Sequence, residues 1–299
     1  MAGREQTVQI DGRRVRLTNL DKVLYPTTGT TKAEVIEYYT RIAPVILPLL
    51  AGRPLTRKRW PDGVGTPEAS SDSFFTKNIE QGAPEWVTRM PIAHSTGTKH
   101  YPIADSVATL VWLAQVASLE LHVPQWRFGS DAHPLAPDRM VFDLDPGPGV
   151  SLADCADVAR MVRDILHGMG MAAAAVTSGS AGIHLYAPLG GSVSSDAAST
   201  LAHELARALE ADHPDAVIST MSKAARPGRV FIDWSQNNGK KTTISPYSLR
   251  GRVAPTVAAP RTWEELEDPA LGQLTMTQVL ARVDAGVEPF GDALASREA

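Results

Sequence analysis

A single cysteine, Cys155, stands among the 299 residues, so neither an internal disulfide nor a Cys-rich zinc site can form within the chain. Any metal must be held by oxygen or imidazole. Long apolar runs are missing too: the longest, Ile42 to Leu50 and Val107 to Ala114, fall well short of the roughly 20 residues of a bilayer span. Behind the polar start MAGREQT lies no apolar leader, and a cytoplasmic protein with no membrane partner is expected. Internal repeats, low-complexity tracts and a Gly/Ser linker are absent as well. What is present in quantity is 43% hydrophobic and 21% charged residue, the profile of a folded chain with a sizeable core, which excludes disorder and fibre.

The net charge of -4 is small, but it is unevenly spread. Residues 1 to 60 carry 11 Lys and Arg against 5 Asp and Glu, and residues 221 to 261 carry 8 against 1, while the remaining segments are acidic. If the two basic segments meet in space they form a phosphate-binding groove on an acidic body. If they do not, they are two solvated faces.

Val8 to Ile10 and Val15 to Leu17 flank Asp11-Gly12 and predict a hairpin. Thr31-Lys32-Ala33-Glu34 has the form of a capping box, followed by Val35, Tyr39, Ile42 and Ile46 at helical spacing until Gly52. Asp105 is the expected cap of a second helix, after which Leu119 to Val123 turns to strict alternation. Strands are expected at Met140 to Asp145, Ala173 to Thr177, Gly182 to Ala187 and Arg229 to Trp234, and helices at Leu152 to His167 and Ser195 to Leu209. The class is α+β or α/β. Residues 1–286 are expected to form one domain of two interleaved subdomains, with Gly63 to Ser73 as its main loop and 287–299 as a tail.

In Met140-Val141-Phe142-Asp143-Leu144-Asp145 the side chains of Met140, Phe142 and Leu144 point one way and those of Asp143 and Asp145 the other. Two carboxylates on one face repel unless a divalent cation lies between them; otherwise they are two charges on a solvent-facing strand. Asp233, the one acid in the basic segment 221 to 261, shares this pattern on its own strand and is a candidate third ligand, or else a salt-bridged surface residue. Three carboxylates suit Mg²⁺ or Mn²⁺. His122 and His184 each occupy the polar side of an apolar strand, where a lone histidine is either a ligand or a hydrogen-bonded structural residue. Thr177 to Gly182 offers small hydroxyls and backbone amides for a phosphate, without the spacing of a Walker or dinucleotide loop. Arg57-Lys58-Arg59 and Arg226 to Arg229 supply cations. Phe74-Phe75 supplies either a stacking surface or core.

From about Leu17 to Ala281 the ordered motifs resemble the polymerase domain of bacterial ligase D, in the archaeo-eukaryotic primase superfamily. They include Asp21-Lys22-Val23-Leu24-Tyr25-Pro26, Arg57 to Pro61, His122 to Trp126, Phe142 to Pro146, Thr177 to Ser180, Gly182 to Tyr186, Asp233 to Asn237 and Pro246 to Arg252. The resemblance implies that Asp143, Asp145 and Asp233 hold two metal ions, Mn²⁺ or Mg²⁺, for nucleotidyl transfer. It places Lys58, His122, Ser178, Gly179, His184, Arg226 and Arg250 around the incoming nucleotide, with His122 among the catalytic residues. Arg59 and Phe75 would meet DNA, Phe75 by stacking in the template region. Asn19, Lys22 and Lys32 would hold a downstream 5′-phosphate. The implied fold is an antiparallel or mixed sheet core flanked by helices, with an N-terminal module packed on it. The implied activity is gap filling and end repair in non-homologous end joining, with rNTPs preferred to dNTPs. The implied partners are gapped or broken DNA, Ku and a separate DNA ligase, in a nucleoid-associated cytoplasmic setting.

Two features depart from the pattern. Ala181 stands where the family usually has Lys, and Gly63 to Ser73 is longer than usual. The family's multidomain members continue into ligase and nuclease modules, and the acidic stretch Glu288 to Ala299 favours a free-standing polymerase over an excised domain. A non-catalytic end-binding module and a nucleotide-sugar glycosyltransferase with an Asp-x-Asp pair are the alternatives. The three acids disfavour the first and the two basic segments the second.

Overall fold

The computed structural model describes residues 5–287, 289 and 290; the expected tail falls almost wholly outside them. β1 (Glu5–Ile10) and β2 (Arg13–Thr18) form the expected hairpin. Asp11 and Gly12 take φ of 50° and 74°, the two positive values a tight two-residue connection needs. A short ribbon of β3 (Val23–Tyr25) and β4 (Thr30–Thr31) leads into α1 (Lys32–Arg41), where Thr31 and Glu34 close the capping box. The one helix expected up to Gly52 is in fact two. α2 (Ala43–Leu50) starts afresh with Pro in its first turn, because Pro44 has no N–H to return to α1 and its ring crowds the preceding turn.

β5 (Thr56–Arg59), β6 (Phe74–Thr76) and the hairpin of β7 (Arg89–His94) and β8 (Gly97–Pro102) were not expected as strands. α3 (Val107–Gln115) follows, and its cap is Ser106 rather than Asp105. The Ser106 side chain takes the Thr109 N–H, while Asp105 accepts from the hydroxyls of Ser106 and Thr109. Next come β9 (Ser118–Val123), β10 (Arg139–Pro146), α4 (Leu152–Gly168), β11 (Ala174–Thr177), β12 (Ile183–Pro188) and α5 (Ser195–Asp212), each close to its expected bounds. β13 (Val217–Ile218), β14 (Val230–Asp233), β15 (Thr243–Ile244), β16 (Ala259–Arg261) and α6 (Met276–Asp284) complete the chain. No helix among the described residues is long and apolar enough to cross a membrane.

Two main sheets carry the molecule. One has the order β13-β14-β10-β12-β11-β16, antiparallel throughout except for the β13–β14 pair, and the other the order β15-β9-β5-β6. On the six-stranded sheet the period-two alternation does what it promised. Met140, Phe142, Leu144, Val230 and Ile232 enter a core with α4 and α5, and Asp143, Asp145 and Asp233 are left off that core face. On the opposite face Val141, Val176 and Tyr186 pack on Ile244 of β15, where the two sheets meet. Beyond the end of β14, the Asn237 amide takes over as partner of β10, accepting from Val141 N at 2.8 Å and donating to Val141 O at 2.7 Å.

A second core unites the N-terminal elements with α3, β9 and residues 247 to 259. Three buried tyrosines fasten it. Tyr25, Tyr38 and Tyr39 donate their hydroxyls to the carbonyls of Arg250, Tyr247 and Leu119 at 2.8, 2.7 and 2.7 Å.

At the β11–β12 turn a side chain on Gly182 would place its Cβ 2.0 Å from the Leu144 carbonyl oxygen. Gly182→Ala is therefore expected to force β10 and β12 apart and cost roughly 1–3 kcal/mol, as overpacking does. Urea unfolding of the two proteins measures it, and an unchanged midpoint would contradict that close approach.

Candidate active site

The three acids come together through strand register. β10 and β14 pair antiparallel with Asp143 opposite Asp233, and β10 and β12 pair with Asp143 opposite His184. Asp145 lies two residues further along the same face. His184 is buried. Its Nε2 lies 3.3 Å from Asp143 Oδ1, and its Nδ1 has no hydrogen-bond partner. Burial, and then the charge of Asp143, push the Asp145 carboxyl well above the ordinary carboxylate value, with His184 and Arg226 pulling the other way. Such crowding of negative charge suits a site for a divalent cation.

Asp233, however, is turned into its own turn. Its carboxylate accepts from Ser235 N at 3.0 Å, from Ser235 Oγ and from Gln236 Nε2 at 3.0 Å. As the structure stands, no group of three or more His, Cys, Asp or Glu side chains among the described residues is gathered closely enough to hold an ion. The donor set itself fits Mg²⁺ or Mn²⁺: oxygen ligands, partly buried, with the Asp145 carboxyl raised first by burial and then by Asp143.

Facing the acids is the four-stranded sheet, where the basic run 57 to 59 is sorted by the strand period. Arg57 and Arg59 share one face and both pair with Glu80 at 2.6 Å. Lys58 lies on the other, opposite Glu120 on β9 and Phe75 on β6. Its ammonium stands 4.8 Å from the Trp60 ring centre and 5.4 Å from that of Phe75. Arg59, placed among the DNA-binding residues by resemblance, thus has its guanidinium committed to Glu80 and the Val116 carbonyl. Phe75 is no core residue, being 59% exposed, and it meets His122 edge to face.

His122 donates from Nε2 to Glu120 Oε2 at 2.8 Å, which leaves Nδ1 for a ligand. Buried Glu120 was not singled out by sequence, yet it organises this corner. Burial alone would raise its carboxyl, but the His122 hydrogen bond, Arg250 and the Gly251 N–H overcome burial and hold it at about 2. Burial lowers His122, against the pull of Glu120. Arg250 Nε forms an ion pair with Glu120 Oε1 at 3.5 Å but makes no hydrogen bond.

Between the sheets lies a cleft of about 220 Å³ lined by His122, Asp143, Asp145, Ser178, His184 and Arg250, together with Ser180, Ala181, Gln236, Thr243 and Arg252. The loop from Ser178 to Gly182 presents hydroxyls more than amides. The Ser180 and Gly182 N–H groups are taken by Ser178 Oγ, and the Gly179 N–H by Gln273 Oε1. Gly179, at φ 69°, is wedged against Arg250 and Val257. Ala181 brings no charge, whereas Arg252 reaches Ser180 Oγ from the facing segment. Arg226 stacks on Phe231 at 3.6 Å, near Asp145. The two basic segments do meet: Tyr25 donates to the Arg250 carbonyl, and Gly251 lies against the Trp60 ring.

Asn19, Lys22 and Lys32 form a separate cluster. Asn19, at φ 54°, turns the chain so that its carbonyl accepts the Lys22 N–H at 3.0 Å, and the Lys22 carbonyl accepts the Lys32 N–H at 2.8 Å. Lys22 Nζ pairs with Asp62 at 2.8 Å. Lys32 is buried and donates to the Thr18 carbonyl at 3.2 Å. Burial and then Lys22 lower its ammonium.

A sheet of this order, with Asp143 opposite Asp233 and Asp145 on the same face beside a cleft lined by Arg250 and Arg252, is of the archaeo-eukaryotic primase-like class. The model of the LigD primase-polymerase domain matches residues 31–290. The multifunctional non-homologous end joining DNA repair protein LigD of Mycobacterium tuberculosis is 55% identical over 276 residues, 91% of this chain and 36% of that protein. LigD of Mycolicibacterium smegmatis is 52% identical over 286 residues, 96% of this chain and 36% of that protein. A solved structure, the polymerase domain of M. tuberculosis ligase D in complex with DNA, is 53% identical with a TM-score of 0.90, covering 95% of this chain and 99% of that one. The chain belongs to the LigD primase-polymerase domain family. It spans about a third of the length of these mycobacterial LigD proteins.

Because Glu120 is held at about 2 against an ordinary 4.5, its contribution to stability is full above pH 4.5 and is lost as the pH falls through 2. Glu120→Gln is expected to lose about 3 kcal/mol at pH 7, with the gap to the parent narrowing as the pH falls below 4.5. Urea unfolding across pH tests this, and a gap independent of pH would show that the carboxylate is not stabilised by its partners.

Proposed function

We propose that the chain extends a DNA primer 3′-hydroxyl by template-directed nucleotidyl transfer at gaps or broken ends bearing a 5′-phosphate, in end-joining repair. Ribonucleotides are taken in preference to deoxyribonucleotides. The observation that carries the reading is the register of Asp143 with Asp233, with Asp143 and Asp145 lining a cleft that Arg250 and Arg252 also line. Asp143, Asp145 and Asp233 would hold two ions, with Mn²⁺ preferred to Mg²⁺. When bound, such ions favour the ionised primer hydroxyl and neutralise triphosphate charge.

The chain's own side chains divide the remaining work. His122, fixed by Glu120, offers Nδ1 to the nucleotide, and the orphaned Nδ1 of His184 and Nε of Arg250 await acceptors or donors that a bound nucleotide would supply. Ser178 orders the loop beside the triphosphate. Lys58 and Arg226 bring charge to the rim. Exposed Phe75, flanked by Lys58 and His122, is a platform for a template base. The ammonium of Lys32, lowered by burial and then by Lys22, would be stabilised by an anion, and a 5′-phosphate at the Asn19 turn would meet that need. Residues 1–286 act as one primase-polymerase domain in this reading, with Ku and a separate DNA ligase as its partners.

Incubation with a 5′-phosphorylated one-nucleotide-gapped DNA, Mn²⁺ and either rNTPs or dNTPs tests the reading on a sequencing gel. Templated extension, stronger with rNTPs, is expected; tight 5′-phosphate-dependent binding without extension would mean an end-binding module. Asp143→Ala and Asp145→Ala are each expected to abolish extension and leave DNA binding nearly intact. Full activity in both would refute the metal assignment. Lys22→Ala combined with Lys32→Ala is expected to erase the preference for 5′-phosphate over 5′-hydroxyl gaps, and an unchanged preference would place the phosphate elsewhere.

A further inference from the structure

Asp233 is the one proposed metal ligand whose carboxylate is already satisfied by its own neighbourhood. Both oxygens are used: Oδ1 by the Ser235 N–H and hydroxyl, Oδ2 by Gln236 Nε2 at 3.0 Å. None of these donors carries charge. The charge comes from Lys241, whose ammonium donates to Ser235 Oγ and stands 3.9 Å from Asp233 Oδ2. The hydrogens line up in one direction, from Lys241 Nζ to Ser235 Oγ and from Ser235 Oγ–H to Asp233 Oδ1. A serine hydroxyl has a single proton to give, so its acceptance of the lysine N–H leaves that proton free for the carboxylate.

The arrangement answers an electrostatic problem set by the strands. Asp233 lies directly opposite Asp143, and with no cation between them the two charges repel. Rotating Asp233 onto Ser235, Gln236 and Lys241 relieves that repulsion, and it draws one ligand away from the other two. We infer that Ser235 and Lys241 form an internal counter-ion that parks Asp233 and competes with the metal for it. They are positioning residues, acting through Asp233. The inference rests on the reading of Asp143, Asp145 and Asp233 as the metal site. The latch also sits at a junction of the fold: the turn Trp234–Asn237 follows β14, and Lys241 stands two residues before β15, which pairs with β9 at His122.

Competition makes an uncommon prediction, that removing a side chain tightens binding. Mn²⁺ is titrated into the protein without nucleotide or DNA, and the free ion is followed by its electron paramagnetic resonance signal. Lys241→Met and Ser235→Ala are each expected to bind the Asp233-dependent ion about fivefold tighter, the scale of a partly exposed ion pair. Lys241→Arg is expected to retain the parent affinity, as is Lys240→Met, which removes a neighbouring charge that does not reach Asp233. A damaged fold weakens binding and cannot imitate this result. Unchanged or weaker binding in Lys241→Met would overturn the inference. Tightening in Lys241→Met but not in Ser235→Ala would overturn the relay, leaving only attraction through space. Asp233→Asn separates the two levels. Loss of one ion in that variant upholds the metal reading whatever Lys241→Met shows, and parent-like binding would bring down the metal reading and the latch together.

Discussion

Repulsion between carboxylates that the backbone will not let apart is the constraint around which this molecule is arranged. Backbone register, not side-chain choice, brings Asp143 and Asp233 face to face, and the apolar residues between them are locked into the core beneath. The acids cannot escape by slipping a residue, because a slip would turn Met140, Phe142 and Leu144 out of that core. Compensation must come from around the site. It does so from His184 across the next strand, from Arg226 over Phe231 and from the Lys241–Ser235 relay. The cleft is thus held ready for positive charge before any ligand arrives.

A second acid, Glu120, plays the opposite part. It is buried on the facing sheet and fully served, by His122, Arg250 and the Gly251 N–H. Where the acids of β10 and β14 leave an excess of negative charge, Glu120 spends its own on orienting others. One carboxylate thereby fixes the tautomer of a histidine and steadies the segment carrying Arg250 and Arg252. The paired arrangement of a strained acidic face and a satisfied basic one is what a polyanionic substrate bridged by cations requires.

The strands that carry the acids were legible because one face of each is wholly apolar, Met140, Phe142 and Leu144 on one and Val230 and Ile232 on the other, while every acid falls on the opposite face. The capping box at Thr31 and the hairpin at Asp11-Gly12 were legible for the same reason, each being a local rule with a local partner. β5 was not, because Arg57 and Arg59 are inward-facing cations that the chain neutralises with Glu80, more than 20 residues away. The sequence alone shows only a basic cluster, with no sign that Lys58 is the one cation of the three set against Phe75 and Glu120. Helix α1 was overrun through Ile42 because the apolar spacing continues there, and Pro44 decided the matter. The roles of Gln273, Glu120 and Lys241 lay out of reach, since each depends on contacts between segments distant in sequence or on a rotamer. The resemblance supplied the site residues that periodicity alone could only nominate.

The hydroxyls of Tyr25, Tyr38 and Tyr39 are bonded to backbone carbonyls, and backbone cannot be moved without moving the fold. Tyr25 and Tyr38 join the N-terminal layer, which also carries Asn19, Lys22 and Lys32, to the segment that ends in Arg250, and Tyr39 does so by accepting the Leu249 N–H. Under the proposed reading, those two places receive the far side of a gap and the incoming nucleotide. The tyrosines then make the molecule a caliper: the span between its jaws is set by buried hydrogen bonds and does not adjust to the DNA. Gap length would be sensed by fit, and a longer gap would have to bend or loop its template to touch both jaws at once.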